Sequence, residues 1–410
     1  MSSALSGLLA PDPAVPQRDL LLDGGRLGTG IAASLGAGRL ARCEPTRTKY
    51  QVGRSLRVVY RVATDRSTRL VALRTFRRSR AEQVYRESAQ RAVSCGEFAG
   101  VAAAPELGAV LFTFPNDRKL SDLPALARSG RLVAYAPEKS ATVRLSSRDP
   151  RAPGFAKLYA DEEGERTRGI HEALWEPAAE LGLRLPRVTG YAADRRTLVC
   201  EAVPGTRLSG LAGSRLDAGL RRLGAAIASL HDLAAPSVAP RFERHDPERL
   251  LDAATVIARV RPDLGAAARR AFEPLREGPP DVGPDVCLHG DVHLKNALLN
   301  GRGVALIDLD QVAAGPAAAD VGSLLAAFRY AAVVGAISTA TERAYSDAFC
   351  SGYRRVRELP DPETLRWHLA AALISERALR AVTRLRRRGI AGLAGLLDEA
   401  EAIGAEAGVR

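Results

Sequence analysis

The order in which strand-like and helix-like runs follow one another limits this chain more than any single motif does. Apolar runs of strand length crowd the first half: Val58–Val62, Leu70–Phe76, Val110–Phe114, Ala141–Leu145, Phe155–Tyr159 and Thr197–Val203. Helical stretches such as Ala81–Ala92 and Glu162–Trp175 lie between them. After Pro204 the spacing turns helical, as in Leu216–Leu233 and Leu365–Leu385. The strong strand signal left in that half is Ala297–Leu299 with Val304–Ile307. Strands first, helices later, with a hairpin inside the helical part, predicts a two-lobed α+β fold.

The chain has 410 residues, too many for one core, and 46% of them are hydrophobic, enough for two or three. No apolar run reaches 18 residues, so no transmembrane helix is expected. Met1–Pro16 lacks the charged and apolar regions of a signal peptide and reads as a frayed leader. Five scattered cysteines without a CxxC point to a reduced cytoplasm. The net charge of +12 is carried mostly by scattered arginines that do not interleave with aromatics, so neither nucleic acid nor a membrane is an expected partner. The densest run, Arg384–Arg388, reads as a solvated helix end.

The first half also echoes itself. Tyr50-Gln-Val-Gly-Arg54-Ser55 resembles Tyr135-Ala-Pro-Glu-Lys139-Ser140, and Leu73-Arg74-Thr-Phe76 resembles Ala156-Lys157-Leu-Tyr159. Glu82 and Glu165 follow at equal distances, and Thr113–Leu123 resembles Ala202–Leu211. Four matches in one order read as residues 45–125 being a degenerate copy of 133–211.

The segment His289-Gly290-Asp291, Asn296, Asp308, Asp310 carries the chemistry. Phosphoryl transfer needs a carboxylate beside the attacking hydroxyl and oxygen ligands for a metal on the phosphates. Asp291 and Asn296, five residues apart on a loop, suit one base and one neutral ligand. A hairpin turning at Asn300–Gly303 should set Asn296, before its first strand, beside Asp308, after its second. HGDxxxxN followed by IDxD resembles the aminoglycoside phosphotransferase and choline kinase family, relatives of the protein kinases. The resemblance covers roughly residues 133–330. It implies ATP as donor, Asp291 as base, and Mg²⁺ on Asn296 and Asp308. Asp310 would line the metal or substrate site, and Asp320 would be the buried carboxylate that steadies the loop. His289 is expected to pack and bond the loop backbone, while His293 either touches substrate or faces solvent.

On the nucleotide side the resemblance expects a cation on the third strand of the small lobe, which is Lys157. Glu165, or Glu172 two turns later, would hold its direction, and backbone groups of Glu201 and Val203 in the linker would meet adenine. No glycine-rich phosphate loop stands at Pro137–Ser140. The resulting expectation is a protein-kinase-like fold of mixed β small lobe and mainly helical large lobe, with an N-terminal α+β cap resembling that of maltokinases. The divisions would be 1–130, 131–204 and 205–410. The function expected is ATP- and Mg²⁺-dependent phosphorylation of a small polar molecule, a sugar-like metabolite before an aminoglycoside. Ala340–Glu363 mixes five acids with four arginines and does not make a dedicated polycation site. The alternative is a pseudokinase that binds without turnover.

Overall fold

A computed structural model describes residues 7–146, 154–301 and 303–407. The chain forms two compact units: Met1–Glu162 with Ala192–Thr197 and Ala381–Arg387, and Glu163–Tyr191 with Leu198–Arg380 and Arg388–Arg410. No helix among the described residues is long and apolar enough to cross a membrane.

The first sheet holds β1 (Leu40–Gln51), β2 (Ser55–Thr64), β3 (Thr68–Thr75), β4 (Val101–Ala104) and β5 (Ala109–Thr113) in the order β1-β2-β3-β5-β4. Helix α1 (Gly24–Ser34) precedes it, begun by Asp23, whose carboxylate accepts from the Arg26 N–H at 3.0 Å. Helix α2 (Arg78–Ala89) joins β3 to β4. The second sheet contains β6 (Gly130–Ala136), β7 (Ser140–Leu145), β8 (Gly154–Tyr159), β9 (Val188–Ala192) and β10 (Thr197–Glu201), ordered β6-β7-β8-β10-β9. Helix α3 (Leu123–Arg128) precedes β6, and α4 (Glu163–Glu180) lies between β8 and β9 in sequence.

The two meanders share their register. Tyr50 pairs with Leu56 and Gln51 with Ser55 across the first turn, as Tyr135 pairs with Ala141 and Ala136 with Ser140 across the second. Two residues past each serine, Arg57 faces Arg74 and Thr142 faces Lys157. Arg74 therefore holds the place in its meander that Lys157 holds in the other.

Two expectations need correcting. Residues 1–6 of the expected leader lie outside the described residues, but the rest is not frayed. Leu9 and Val15 are buried, and the carboxylate of buried Asp12 accepts from the Tyr50 hydroxyl (2.5 Å) and the Gly53 N–H (2.8 Å). The start of the Arg384–Arg388 run is not a solvated end either. Its Arg384 carbonyl accepts from the Thr48 hydroxyl, and its guanidinium donates to the Thr48 carbonyl at 3.3 Å.

In the second unit, α5 (Gly213–His231) supplies Leu220, Leu223 and Ile227 to a core shared with Leu306, Leu324 and Phe349. The unit also contains β11 (Thr206–Arg207), α6 (Pro247–Val260), α7 (Gly265–Phe272), β12 (Asp285–Leu288), β13 (Ala297–Asn300), β14 (Gly303–Leu306) and β15 (Ala313–Pro316). Strands β13 and β14 form the expected hairpin, with Asn300 opposite Gly303, and β12 pairs with β15. Next come α8 (Ala317–Val333), α9 (Thr339–Tyr353), α10 (Pro362–Ala372), α11 (Leu379–Thr383), α12 (Arg387–Ala391) and α13 (Leu393–Ala407). The stretch with helical spacing, Leu365–Leu385, contains a π-helical turn, Leu373–Ala378.

Glycines set the approach of α5 to α9. A Cβ on Gly352 would lie 1.8 Å from the Arg221 carbonyl oxygen, and one on Gly224 would lie 2.1 Å from that of Phe349. Neither helix can yield without opening the core behind it. Gly352→Ala should therefore cost at least about 2 kcal/mol, the scale of overpacking a close-packed core. Urea denaturation would measure it, and an unchanged midpoint would refute this account of the helix pair.

Candidate active site

The catalytic loop leaves β12 at buried Leu288 and turns at Gly290. Gly290 has φ +71°, and a Cβ there would sit 1.9 Å from the Gln311 carbonyl oxygen, so the turn needs glycine twice over. Asp320, in the first turn of α8 and 1% exposed, fixes the turn from below. Its carboxylate accepts from the His289 N–H (2.6 Å), the Gly290 N–H (2.9 Å) and His231 Nε2 (3.3 Å). His289 is buried. Its Nε2 donates to the Ile307 carbonyl at 3.1 Å, and its Nδ1 accepts from the Asp291 N–H at 3.4 Å.

Asp291 follows with 17% of its side chain exposed. Around its carboxylate stand His293 Nε2 at 3.4 Å, Arg380 Nη1 at 3.6 Å and Lys295 Nζ at 4.0 Å. Asn296 Nδ2 donates to the Asp291 carbonyl (3.0 Å) and carboxylate (3.2 Å). That leaves its amide oxygen as an acceptor. The Ile307 N–H donates to the Asn296 carbonyl at 2.9 Å, so the hairpin's two open ends meet at these residues. The next residue, Asp308, is exposed and held at φ +66°, a conformation that costs a non-glycine residue about 1–2 kcal/mol. Asp310, half-buried, lies in the short turn that follows. Asn296, Asp308 and Asp310 offer only oxygen donors, the chemistry Mg²⁺ prefers. No cluster of three His, Cys, Asp or Glu suited to a metal occurs among the described residues.

Burial pushes the Asp291 carboxyl up, but His293, Arg380, Lys295 and His289 outweigh it and hold it below the usual carboxylate range. Burial pushes His293 down to about 4, against the pull of Asp291 and with help from Arg377, Lys295 and Arg380. At neutral pH His293 is thus uncharged, and Arg380 and Lys295 keep the carboxylate ionised.

A second set of residues, with no motif to announce it, supports the loop. Arg244 Nη1 donates to the Gly290 carbonyl (2.8 Å) and to Glu376 (2.8 Å). Glu376 is 3% exposed and also accepts from the Ser323 hydroxyl (3.0 Å) and Arg377 Nη2 (3.3 Å). Glu376 and Arg377 sit in the π-helical turn, where the extra residue swings side chains inward that a plain helix would not align. A cavity of about 450 Å³ opens beside Arg244, lined also by Glu243, Arg249, Asp252, Ser375 and Leu379.

On the nucleotide side, Lys157 lies on β8 with its ammonium 5.3 Å from the centre of the Tyr159 ring. Glu165 and Glu172 are both about half exposed, and both bond the Arg168 guanidinium, at 2.7 and 2.8 Å. Glu163, two residues before Glu165, is half-buried, with 11% of its side chain exposed, and lies 3.9 Å from Arg166 Nη2. Glu201 uses its N–H on the Arg187 carbonyl (3.0 Å) and its carboxylate on Arg184 (2.7 Å). Val203 lies just past β10 in the linker and is half-buried.

The model of the phosphotransferase enzyme family, APH, matches residues 140–359, more than half of the chain. The chain belongs to the phosphotransferase enzyme family. It is accordingly a small-molecule kinase. No curated protein is a match in sequence. Similar solved structures include the macrolide 2'-phosphotransferase MphH from Brachybacterium faecium, at 17% identity, covering 69% of this chain and 97% of that one with a TM-score of 0.45. The aminoglycoside phosphotransferase APH(3'')-Id from Streptomyces rimosus has 18% identity, 61% and 94% coverage and a TM-score of 0.41. A thermostable mutant of aminoglycoside phosphotransferase APH(4)-Ia has 16% identity, 68% and 96% coverage and a TM-score of 0.48.

Within this phosphotransferase the Glu376 network makes a stability prediction. Burial raises the Glu376 carboxyl, but His245, Arg244 and Arg377 prevail and hold it well below its ordinary value. Glu376→Ala strands Arg244 and Arg377 and should cost about 3–5 kcal/mol, as breaking a buried ion pair does. Because the folded pKa is depressed, the contribution is complete above about pH 4.3 and is lost as the pH falls through the folded value. The wild-type protein should therefore lose more stability on acidification than Glu376→Ala, measured by chemical denaturation along a pH series. Parallel acid profiles would contradict the network's role.

Proposed function

We propose that this phosphotransferase moves the γ-phosphoryl group of Mg·ATP to a hydroxyl of a small polar molecule, with Asp291 taking the hydroxyl proton. The observation that carries this reading is the state of Asp291. It is kept ionised by Arg380 and Lys295 at the end of a loop whose backbone Asp320 and Arg244 both hold. An ionised carboxylate with a lowered pKa is a weak base, sufficient here because phosphoryl transfer is driven by positioning and charge stabilisation.

The amide oxygen of Asn296 and the carboxylate of Asp308 would hold Mg²⁺, with Asp310 lining the site. When bound, the ion neutralises charge on the phosphates. Lys157 would bind phosphate oxygens, and the linker at Glu201 and Val203 would meet adenine. Glu163 replaces Glu165 as the acid proposed for the nucleotide side, since its side chain is 11% exposed against 54% for Glu165. His293, neutral and 3.4 Å from Asp291, would meet the acceptor hydroxyl. The cavity beside Arg244 would receive the acceptor. Its two carboxylates and two guanidiniums balance, which favours an uncharged, sugar-like molecule over a polycation.

We further propose the division 1–130, 131–204 and 205–410, with residues 45–125 a degenerate copy of 133–211, supported by the shared meander register. A reduced cytoplasm is the compartment in keeping with five cysteines outside any disulfide.

Asp291→Asn should keep nucleotide affinity but lower turnover at least about 10²-fold, the scale of a positioned base. Single-turnover transfer with an acceptor drawn from a sugar and amino-alcohol panel would measure it. Near-normal turnover would remove Asp291 as the base. Asp308→Asn retains a residue that tolerates the left-handed backbone, so its effect reports the lost charge. Calorimetric titration should show Mg·ATP binding at least about 10-fold weaker, the loss of one charge-assisted contact. Wild-type affinity and wild-type Mg²⁺ dependence would remove Asp308 from the metal.

A further inference from the structure

Glu138 sits at the tip of the turn between β6 and β7 with φ +59°, a conformation that favours glycine. The corresponding turn of the first sheet does carry glycine, Gly53, at φ +69°. Both turns use one device. The Gly53 N–H and the Tyr50 hydroxyl donate to one oxygen of Asp12, at 2.8 and 2.5 Å. The Glu138 N–H and the Tyr135 hydroxyl donate to one oxygen of Asp117, at 3.0 and 2.8 Å. The backbone is thus the same, and the side chain is the difference.

That side chain is only 6% exposed and reaches back to the first sheet. Its oxygens lie 3.0 Å from Arg118 Nε, 3.2 Å from Arg57 Nη2 and 4.0 Å from Arg74 Nε. Arg57 also donates to the Pro137 carbonyl, one residue before the tip. Arg74 is the residue at the register of Lys157, so the carboxylate meets a cation where the second meander keeps its own. Three guanidiniums on one carboxylate leave a surplus. Arg57 Nε and Arg74 Nε and Nη1 are buried without a hydrogen-bond partner among the described residues. Burial pushes Arg74 down to about 10 against the pull of Glu138, with Arg57, Arg118 and Arg54 adding to the fall. Without Glu138 these guanidiniums would repel one another with nothing to hold them against the turn.

The turn at Pro137–Ser140 is where a kinase of this family would carry its phosphate loop, and here it has no glycine. We propose that Glu138 is a positioning residue for the nucleotide: seated among Arg57, Arg74 and Arg118, its carboxylate locks the turn between β6 and β7 in one conformation and so replaces a glycine-rich loop that closes on the nucleotide. The first sheet thereby serves the second as a fixed anchor, with no nucleotide of its own. The inference rests on the proposed reading of this chain as a Mg·ATP-dependent kinase whose nucleotide lies against the second meander.

The test is calorimetric titration of the full-length protein with Mg²⁺ and the non-hydrolysable ATP analogue AMP-PNP. Amide hydrogen exchange across residues 136–140 is followed in parallel. Glu138→Gln should raise the dissociation constant about 10-fold, equivalent to ~1.4 kcal/mol, and should speed exchange in the turn. Arg118→Gln, at the most exposed partner, should shift both readouts in the same direction by a smaller factor and guards against a Glu138 variant that fails to fold. In the Glu138→Gln background Arg118→Gln should add little, because the two act through one contact. Glu138→Asp, which keeps the charge, should recover part of the affinity. Affinity within twofold of wild type in folded Glu138→Gln overturns the proposal, as do fully additive effects of the two substitutions. A wild-type protein that binds no Mg·AMP-PNP would instead bring down the kinase reading on which the proposal stands.

Discussion

The loop that carries Asp291 depends on one buried carboxylate, Asp320. It accepts two consecutive backbone N–H groups, those of His289 and Gly290, and a ring N–H from His231. The loop turns its His289 and Gly290 amides onto a side chain, and buried amides need such a partner. Asp320 supplies the missing acceptors from the first turn of α8, the end of a helix where a negative charge is favoured. From the opposite side Arg244 caps the Gly290 carbonyl. The loop is thus held by charged groups at both its donors and its acceptors.

Much of this was legible in the sequence because it is local. Asn300 and Gly303 make a hairpin, and a hairpin fixes which residues stand at its open ends. The strand-rich half was legible where strands bury both faces, as β2 does, with seven of its ten residues buried. The first part of β1 was not. It runs as Leu-Ala-Arg-Cys-Glu-Pro-Thr-Arg, and its exposed positions follow no alternation. Its strand character comes from pairing with β2, not from its own side chains.

The residues that support the loop were illegible for a different reason. Arg244 and Glu376 are 132 positions apart, and a lone arginine and a lone glutamate carry no pattern. Asp12 has the same invisibility: it reaches Tyr50 across 38 residues, which is why the segment around it reads as loose when taken alone. The acids at the start of α4 differ only in burial. Glu163 and Glu165 differ little in sequence context, yet one is enclosed and the other exposed.

The π-helical turn at Leu373–Ala378 has a consequence for how this family member can change by insertion and deletion. Such a turn holds one residue more than the α-helix it interrupts. Losing a single residue there would restore a regular helix, the locally more comfortable state. Because the turn absorbs its extra residue, the helix beyond it would keep its phase, and Arg380, two residues past the turn and 3.6 Å from Asp291, would keep its face. Glu376 and Arg377, inside the turn, would change direction instead, and with them the contacts to Arg244 and Ser323. The length of this short stretch is therefore constrained more tightly than the identity of most residues in it, and a chain that shed the extra residue would gain a better helix while losing the support beneath its loop.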